Sequence, residues 1–270
     1  MRNAWLIIAH NEFDILQRLV SLLDDERSDF YIHVDKKVSA LPSLAVEKGK
    51  LFFLGNRVDV RWGSVSQINA ELVLLETALQ HGPYSHYHIL SGTHLPLKSV
   101  TELLSFYDSH IGEEVMRLWV DDPGDADFKL RRYHFPLGHY KYGDSFQRRL
   151  CQLTWQAIIK IQKVLGIRHL KDEQFIKTDN WISLSEQGCR YLVEHREAIL
   201  RKYSWSFCGD EYFAATELAT QGKRFHFYDC QDLLHVEFQG DTPRTFSLTE
   251  LPKLQQTGCW WARKFSNYAH

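Results

Sequence analysis

The chain of 270 residues has almost no excess of charge of either sign: 32 lysines and arginines stand against 34 aspartates and glutamates, a formal net charge of −2. Without a positive field, and with basic residues gathered only in a few short clusters, nothing draws nucleic acid non-specifically, so a nucleic-acid partner is set aside. Paired cysteines are missing too. Cys151, Cys189, Cys208, Cys230 and Cys259 are odd in number, widely spaced and free of any CxxC pair, which suggests neither a disulfide framework nor a zinc site and fits a reducing cytosol. Long apolar runs are also lacking: Trp5-Leu6-Ile7-Ile8-Ala9 is far too short to span a bilayer and soon meets His10, Asn11 and Glu12. The expected location is cytoplasmic. There is no HExxH stretch to seat a metallohydrolase, no internal repeat and no low-complexity segment. With 44% hydrophobic and 24% charged residues, what remains is an ordinary enzyme-sized unit able to bury a core.

What is there reads as alternating strands and helices. Residues 5–9 are a short buried strand, and Ile15, Leu16, Leu19, Leu22 and Leu23 follow at helical spacing. Residues 30–34 and 51–54 repeat the strand pattern. A long amphipathic helix is expected from about Val65 to Leu79, then a fourth strand at 87–90. This alternation predicts an α/β fold with a mostly parallel, Rossmann-like sheet flanked by helices and a ligand at the carboxyl ends of its strands. The stretch 120–145 lacks periodicity and reads as a loop-rich insertion. Helices are expected at 151–165, from 185 to about 203, and beginning near Asp210, before a tail of short strands with a basic, aromatic finish.

The turns after these strands carry AHNEFD (9–14), IHVDKK (32–37), RVDVRWGSVSQINAELVLL (57–75) and LSGTHLPLKS (90–99). NWISLS (180–185), DEYF (210–213), TPRTF (242–246) and WARKF (261–265) follow in order. Each string is weak alone; the ordered set resembles the core-2/I-branching β-1,6-N-acetylglucosaminyltransferase family, which also includes peptide O-xylosyltransferases. The resemblance is poor between about 111 and 175. It implies a GT-A-like glycosyltransferase of one domain, with residues 1–110 holding a UDP-sugar and 111–270 providing the acceptor surface and catalysis. It further implies inversion at the sugar carbon and UDP binding with no metal and no other cofactor. A DxD metal motif would belong at the end of the fourth strand, where this chain has Ser91-Gly92-Thr93-His94, with His94 where family members often carry Asp.

Displacing a nucleoside diphosphate needs a base for the attacking hydroxyl and positive charge for the leaving group. By resemblance, Glu211 is the base; read alone, Asp210 and Glu211 equally well complement the N-terminus of a helix. Arg244 and Lys264 match the basic pair that binds the diphosphate in place of a cation, the alternative being a solvated tail with Arg263 and Lys264 lying over Trp260 and Trp261. For the nucleoside, Asp35, Trp62 and His10 fall in donor-binding segments. Asp35 also suits a turn, Trp62 the core, and His10 a structural role. Asp121, Asp122, Asp125 and Asp127 include a literal DxD at 125–127, out of strand-end context and more simply a solvated loop. The run Lys129, Arg131, Arg132, Tyr133 and His134 suits either an acceptor sugar or a charged surface face.

The expectation is therefore transfer of N-acetylglucosamine from UDP-N-acetylglucosamine to a glycan or lipid-linked glycan in a β linkage, β-1,6 by resemblance. UDP-xylose is the alternative donor, and a non-catalytic carbohydrate-binding relative the alternative class. A membrane-bound acceptor would be met peripherally, from the inner face of the membrane.

Overall fold

The computed structural model describes residues 1–120, 122–240 and 242–267. Its strands are β1 (Asn3–Ala9), β2 (Ser28–Val34), β3 (Lys50–Phe53), β4 (Tyr87–Ser91), β5 (Leu95–Pro96), β6 (Glu113–Met116), β7 (Ser183–Leu184), β8 (His226–Asp229), β9 (Leu234–His235), β10 (Phe238–Gln239), β11 (Thr242–Pro243) and β12 (Trp261–Ala262). The helices are α1 (Phe13–Leu23), α2 (Ser66–Leu79), α3 (Val100–Asp108), α4 (Pro123–Lys129), α5 (Ser145–Leu165), α6 (Glu186–Glu194), α7 (Arg196–Lys202), α8 (Phe213–Ala219) and α9 (Leu251–Leu254).

Seven strands make the central sheet in the order β3-β2-β1-β4-β7-β6-β8. Pairing is parallel except at β7, which runs antiparallel to both β4 and β6. Every residue of β2 is buried, and so are six of the seven in β1, as interior parallel strands covered on both faces must be. Strand alternation divides the core in two. Trp5, Ile7 and Ala9 face the buried residues of α1 and α3, while Ala4 and Leu6 face those of α2, α6 and α8.

The expected strands and the first two helices stand where the pattern puts them, with one difference in character. Helix α2 is buried around most of its circumference, Glu71 included, because α6 packs on it. The loop-rich stretch 120–145 contains α4, whose N-cap Asp122 accepts from the Gly124 and Asp125 amides with Pro123 at the first position. Helix α5 begins at Ser145, six residues before the expected start, on a capping box between Asp144 and Gln147. The helix expected over 185–203 is two, α6 and α7, meeting at His195.

The parallel strands bring their carboxyl ends to one edge, where His10, Asp35, Gly92 to His94 and Arg117 follow directly. The C-terminal segment is tied to the same edge. β12 pairs antiparallel with β5 and parallel with β9, Phe265 donates its amide to the Thr93 carbonyl (3.0 Å), and Ser266 Oγ donates to Glu12 Oε1 (2.8 Å). Lys264 is thereby carried to the end of β1. A separate aromatic cluster of Leu137, Trp155, Ile159, Phe207 and Cys208, joined by Trp62, Phe128 and Tyr140, fixes the loop 130–144 over this edge.

Candidate functional site

Among the residues expected to meet the nucleoside, His10 is exposed and lies within electrostatic reach of Lys264, Asp35 and Lys37; desolvation first, then the Lys264 charge, holds its imidazole below the ordinary value. Asp35 is buried and spoken for. Its carboxylate accepts from the Lys37 amide (2.8 Å), from Lys37 Nζ (2.7 Å) and from the Val60 amide (3.3 Å), the first an Asx turn. Lys37 also pairs with Asp59 (2.8 Å), which pairs with Arg61 (2.6 Å). The network fastens the 57–62 loop to the end of β2.

Trp62 in that loop is half-buried. It stacks on Tyr140 at 5.6 Å between centroids and meets Phe207 edge-on at 5.2 Å, while the Lys141 ammonium lies 3.3 Å from the centre of its ring. The loop can come so close to Phe207 because residue 63 is glycine. Its φ is +74°, and a Cβ there would stand 2.7 Å from a Phe207 ring carbon. Lys141 has no ion-pair partner among the described residues; desolvation, with the nearby Lys264 charge, holds its amine below the usual lysine range. Lys264 likewise makes no ion pair among the described residues.

Arg244 is placed otherwise. Its guanidinium pairs with Glu237 (2.9 Å) and Glu250 (2.6 Å) and lies 4.9 Å from the Phe246 ring centre. Its backbone runs beside that of Lys264, since the Phe246 amide donates to the Lys264 carbonyl (2.7 Å). The pair expected to share the diphosphate therefore shares a backbone register, with only Lys264 lacking a carboxylate partner among the described residues. Arg263 lies over Trp181, 5.0 Å from its ring centre, rather than over Trp260 or Trp261.

Glu211, the expected base, ends a single 3-10 turn (Gly209–Glu211), and α8 begins at Phe213. Its nearest charge is not the helix terminus but Lys129, whose Nζ donates to Oε2 at 2.7 Å. Lys129 also pairs with Asp125 (3.2 Å); although burial opposes its charge, Glu211 and Asp125 hold its amine above the usual lysine range. Behind Glu211 lies Asp210, its carboxyl pushed up to about 7 by burial and then by the Glu211 charge. Glu71, wholly buried on α2 with neither carboxyl oxygen hydrogen-bonded, is raised well above the carboxylate range by burial and by Asp210. The Cys208 thiol lies within electrostatic reach of Asp210 and Glu211 and of Lys129 and Lys141.

Asp125 and Asp127 stand on α4 rather than in a solvated loop. Asp121 lies outside the described residues. Asp125 is taken up by Lys177 (2.6 Å), Lys129 and the Tyr212 hydroxyl (2.5 Å), and Asp127 by Arg132 (3.0 Å) and Arg168 (2.8 Å). Nor does 129–134 form a charged surface face, because Arg132 and His134 are buried. His94 is buried as well: its Nδ1 lies 2.8 Å from Ser91 Oγ, its ring meets Trp181 edge-on, and desolvation and then Arg263 hold it well below the ordinary value. An HxH stretch, His86-Tyr87-His88, lies on β4 and its approach; both imidazoles are core, with His88 bonded to Ser183 (2.8 Å) and Asn3 (3.0 Å). Among the described residues no group of three or more His, Cys, Asp or Glu side chains is arranged to hold a metal ion.

The protein-family model described as Core-2/I-Branching enzyme matches residues 3–250, nearly the whole of the chain. The chain belongs to the Core-2/I-Branching enzyme family. Membership makes it a glycosyltransferase acting with a sugar donor and a glycan acceptor. No curated protein matches it. Within this Core-2/I-Branching enzyme, Lys141 and the pairing of Lys129 with Glu211 escaped sequence reasoning. The basic and aromatic alternation of Tyr140-Lys141-Tyr142 was the signal for the first; the second joins residues 82 apart in sequence, and no local pattern carries it. Among the described residues no helix is long and apolar enough to cross a membrane.

Proposed function

We propose that the chain is an inverting, metal-independent transferase of GT-A-like fold. In this reading it moves N-acetylglucosamine from UDP-N-acetylglucosamine to a glycan or lipid-linked glycan in a β linkage, β-1,6 by family resemblance. Residues 1–110 hold the donor and 111–270 supply the base and the acceptor surface. One observation carries the reading: the carboxylate of Glu211 and two ammonium groups that have no carboxylate partner among the described residues, Lys141 and Lys264, border one region of the sheet edge, with Cys208 within electrostatic reach of Glu211 and Lys141, and His10 of Lys264.

In the step proposed, the acceptor hydroxyl attacks the anomeric carbon and its proton passes to Glu211. The new carbon–oxygen bond forms as the bond to the diphosphate breaks, and UDP departs with the bonding pair. Glu211 Oε1 makes no hydrogen bond among the described residues, so it is the oxygen that takes the proton while Lys129 holds Oε2. Lys141 and Lys264 offset the charge gathering on the diphosphate; at an effective dielectric near 20, a charge pair about 4 Å apart is worth on the order of 4 kcal/mol. His10, Asp35 and Trp62 border the nucleoside. Trp119, exposed beside the Arg117–Asp179 ion pair (2.8 Å), offers an aromatic face toward the acceptor side, and the Thr178 amide joins that segment to the Glu211 carbonyl at 2.8 Å.

The deciding measurement is UDP release across a panel of UDP-sugars, with and without a chelator. Turnover with UDP-N-acetylglucosamine that survives EDTA is expected. A preference for UDP-xylose overturns the donor, and activity lost in EDTA and restored by manganese overturns metal independence.

A further inference from the structure

Helix α5 has two apolar stripes where a surface helix needs one. Cys151, Trp155 and Ile159, with Gln162, face inward. On the opposite side Phe146, Leu150, Leu153, Ile161 and Val164 recur at steps of three, four or two helical turns, and they are 73, 55, 54, 54 and 86% exposed. Ala157, exposed, fills the gap in the stripe. A single exposed leucine needs no account; a continuous apolar stripe along 21 residues, about 30 Å of helix, does.

The charges beside it indicate what covers it. The helix contains Arg148, Arg149, Lys160 and Lys163 and no acidic residue, and helical spacing sets Arg149, Lys160 and Lys163 along one flank of the stripe. Beyond its C-terminus, Arg131, Arg168 and Lys171, with Asp127 paired to Arg168 at 2.8 Å, border an open groove of about 450 Å³. Two copies laid face to face and antiparallel would bring these three flanking cations beside three more of the same sign, whereas an anionic surface complements them.

We propose that α5 is an interfacial docking helix. It lies in the plane of an anionic lipid surface with Phe146, Leu150, Leu153, Ile161 and Val164 sunk among the acyl chains and its basic flank at the headgroups. Its inner face then fixes the active edge relative to the bilayer, since Trp155 packs on Tyr140 (5.2 Å), which stacks on Trp62. The surface stands on the geometry of α5 alone; its use in presenting a lipid-linked acceptor rests on the glycosyltransferase reading.

Sedimentation with vesicles of phosphatidylcholine alone or with 30% phosphatidylglycerol tests this without any transfer reaction. The full chain is expected to partition onto the anionic vesicles and to be released by salt. Lys160→Glu with Lys163→Glu is expected to weaken partitioning by roughly tenfold or more, and Leu153→Ser with Ile161→Ser to weaken it as strongly, all with melting temperatures kept. Because these side chains face solvent, folding survives both pairs of changes; UDP titration on the same preparations checks that the site does too. The proposal is overturned by no binding, by equal binding to neutral vesicles, by variants that bind as the parent does, or by a dimer that the serine variant dissociates.

Discussion

Lys129 Nζ lies 2.7 Å from Glu211 Oε2 and 3.2 Å from Asp125, so one half-buried ammonium is shared between the candidate base and a second carboxylate. Glu211→Gln keeps the size of the side chain and leaves Lys129 its Asp125 partner. Transfer is expected to slow by roughly 10²- to 10⁴-fold, about 3–5 kcal/mol of barrier, with UDP affinity barely changed. If Glu211 served only the helix terminus, the same change would cost on the order of 0.3–1 kcal/mol of stability and leave turnover nearly intact. Melting temperature and transfer rate on one preparation separate the two, and near-normal turnover removes Glu211 from the role.

Lys141→Ala and Lys264→Ala are each expected to weaken UDP binding by about ten- to a hundredfold, the range of a hydrogen bond to a charged group, and to flatten its salt dependence. Arg244→Ala should weaken it less, because Arg244 must leave Glu237 and Glu250 before it can reach a phosphate. Calorimetric UDP titrations at two salt concentrations decide the order. If Arg244→Ala has the largest effect, the guanidinium does change partners on binding and the diphosphate lies nearer to it than to Lys141.

How far the sequence showed all this differs from element to element. β1, β2 and β4 were legible because interior parallel strands are continuous apolar runs, and once a strand's end is known the next residue is fixed at the sheet edge, as His10 and Asp35 are. β7 was not, because it is two residues long and takes its place from pairing with β4 and β6 rather than from any period of its own. Glu211 was visible through its motif, whereas its partner Lys129 comes from a stretch without periodicity. The double stripe of α5 was hidden for a related reason: an apolar residue facing solvent has the same letter as one facing the core, and only the packing of Trp155 tells the faces apart.

Gly63 holds the Trp62 loop against Phe207 with its φ of +74°, and the Cys208 amide donates to its carbonyl at 2.9 Å. Gly63→Ala meets both the left-handed backbone cost, on the order of 1 kcal/mol, and overpacking of roughly 1–3 kcal/mol against a ring held by Trp155 and His134. A clear drop in melting temperature is expected, together with weaker UDP binding as Trp62 and Lys141 shift. A variant that melts and binds as the parent does would show that the loop does not position the donor side.

Asp210 gives the fold a pH dependence of its own. Burial, and then the Glu211 charge, pushes its carboxyl from the ordinary 3.8 up to about 7, so between these values the folded chain keeps a proton that the unfolded chain has released. A carboxyl raised in this way favours the folded state at low pH, and that contribution is lost as pH rises, at up to about 1.4 kcal/mol per unit, levelling off above pH 7. Buried Glu71, raised well above the carboxylate range by burial and then by Asp210, works in the same direction. Asp210→Asn keeps the shape and cannot ionise. Its stability relative to the parent is therefore expected to rise steadily from about pH 4 to pH 7 and then stay constant, as read from urea unfolding at intervals of one pH unit. Glu71→Gln should likewise gain on the parent as pH rises. A constant offset between Asp210→Asn and the parent across the whole range would mean that Asp210 titrates as it does in the unfolded chain, and that the charge of Glu211 is not felt behind the site.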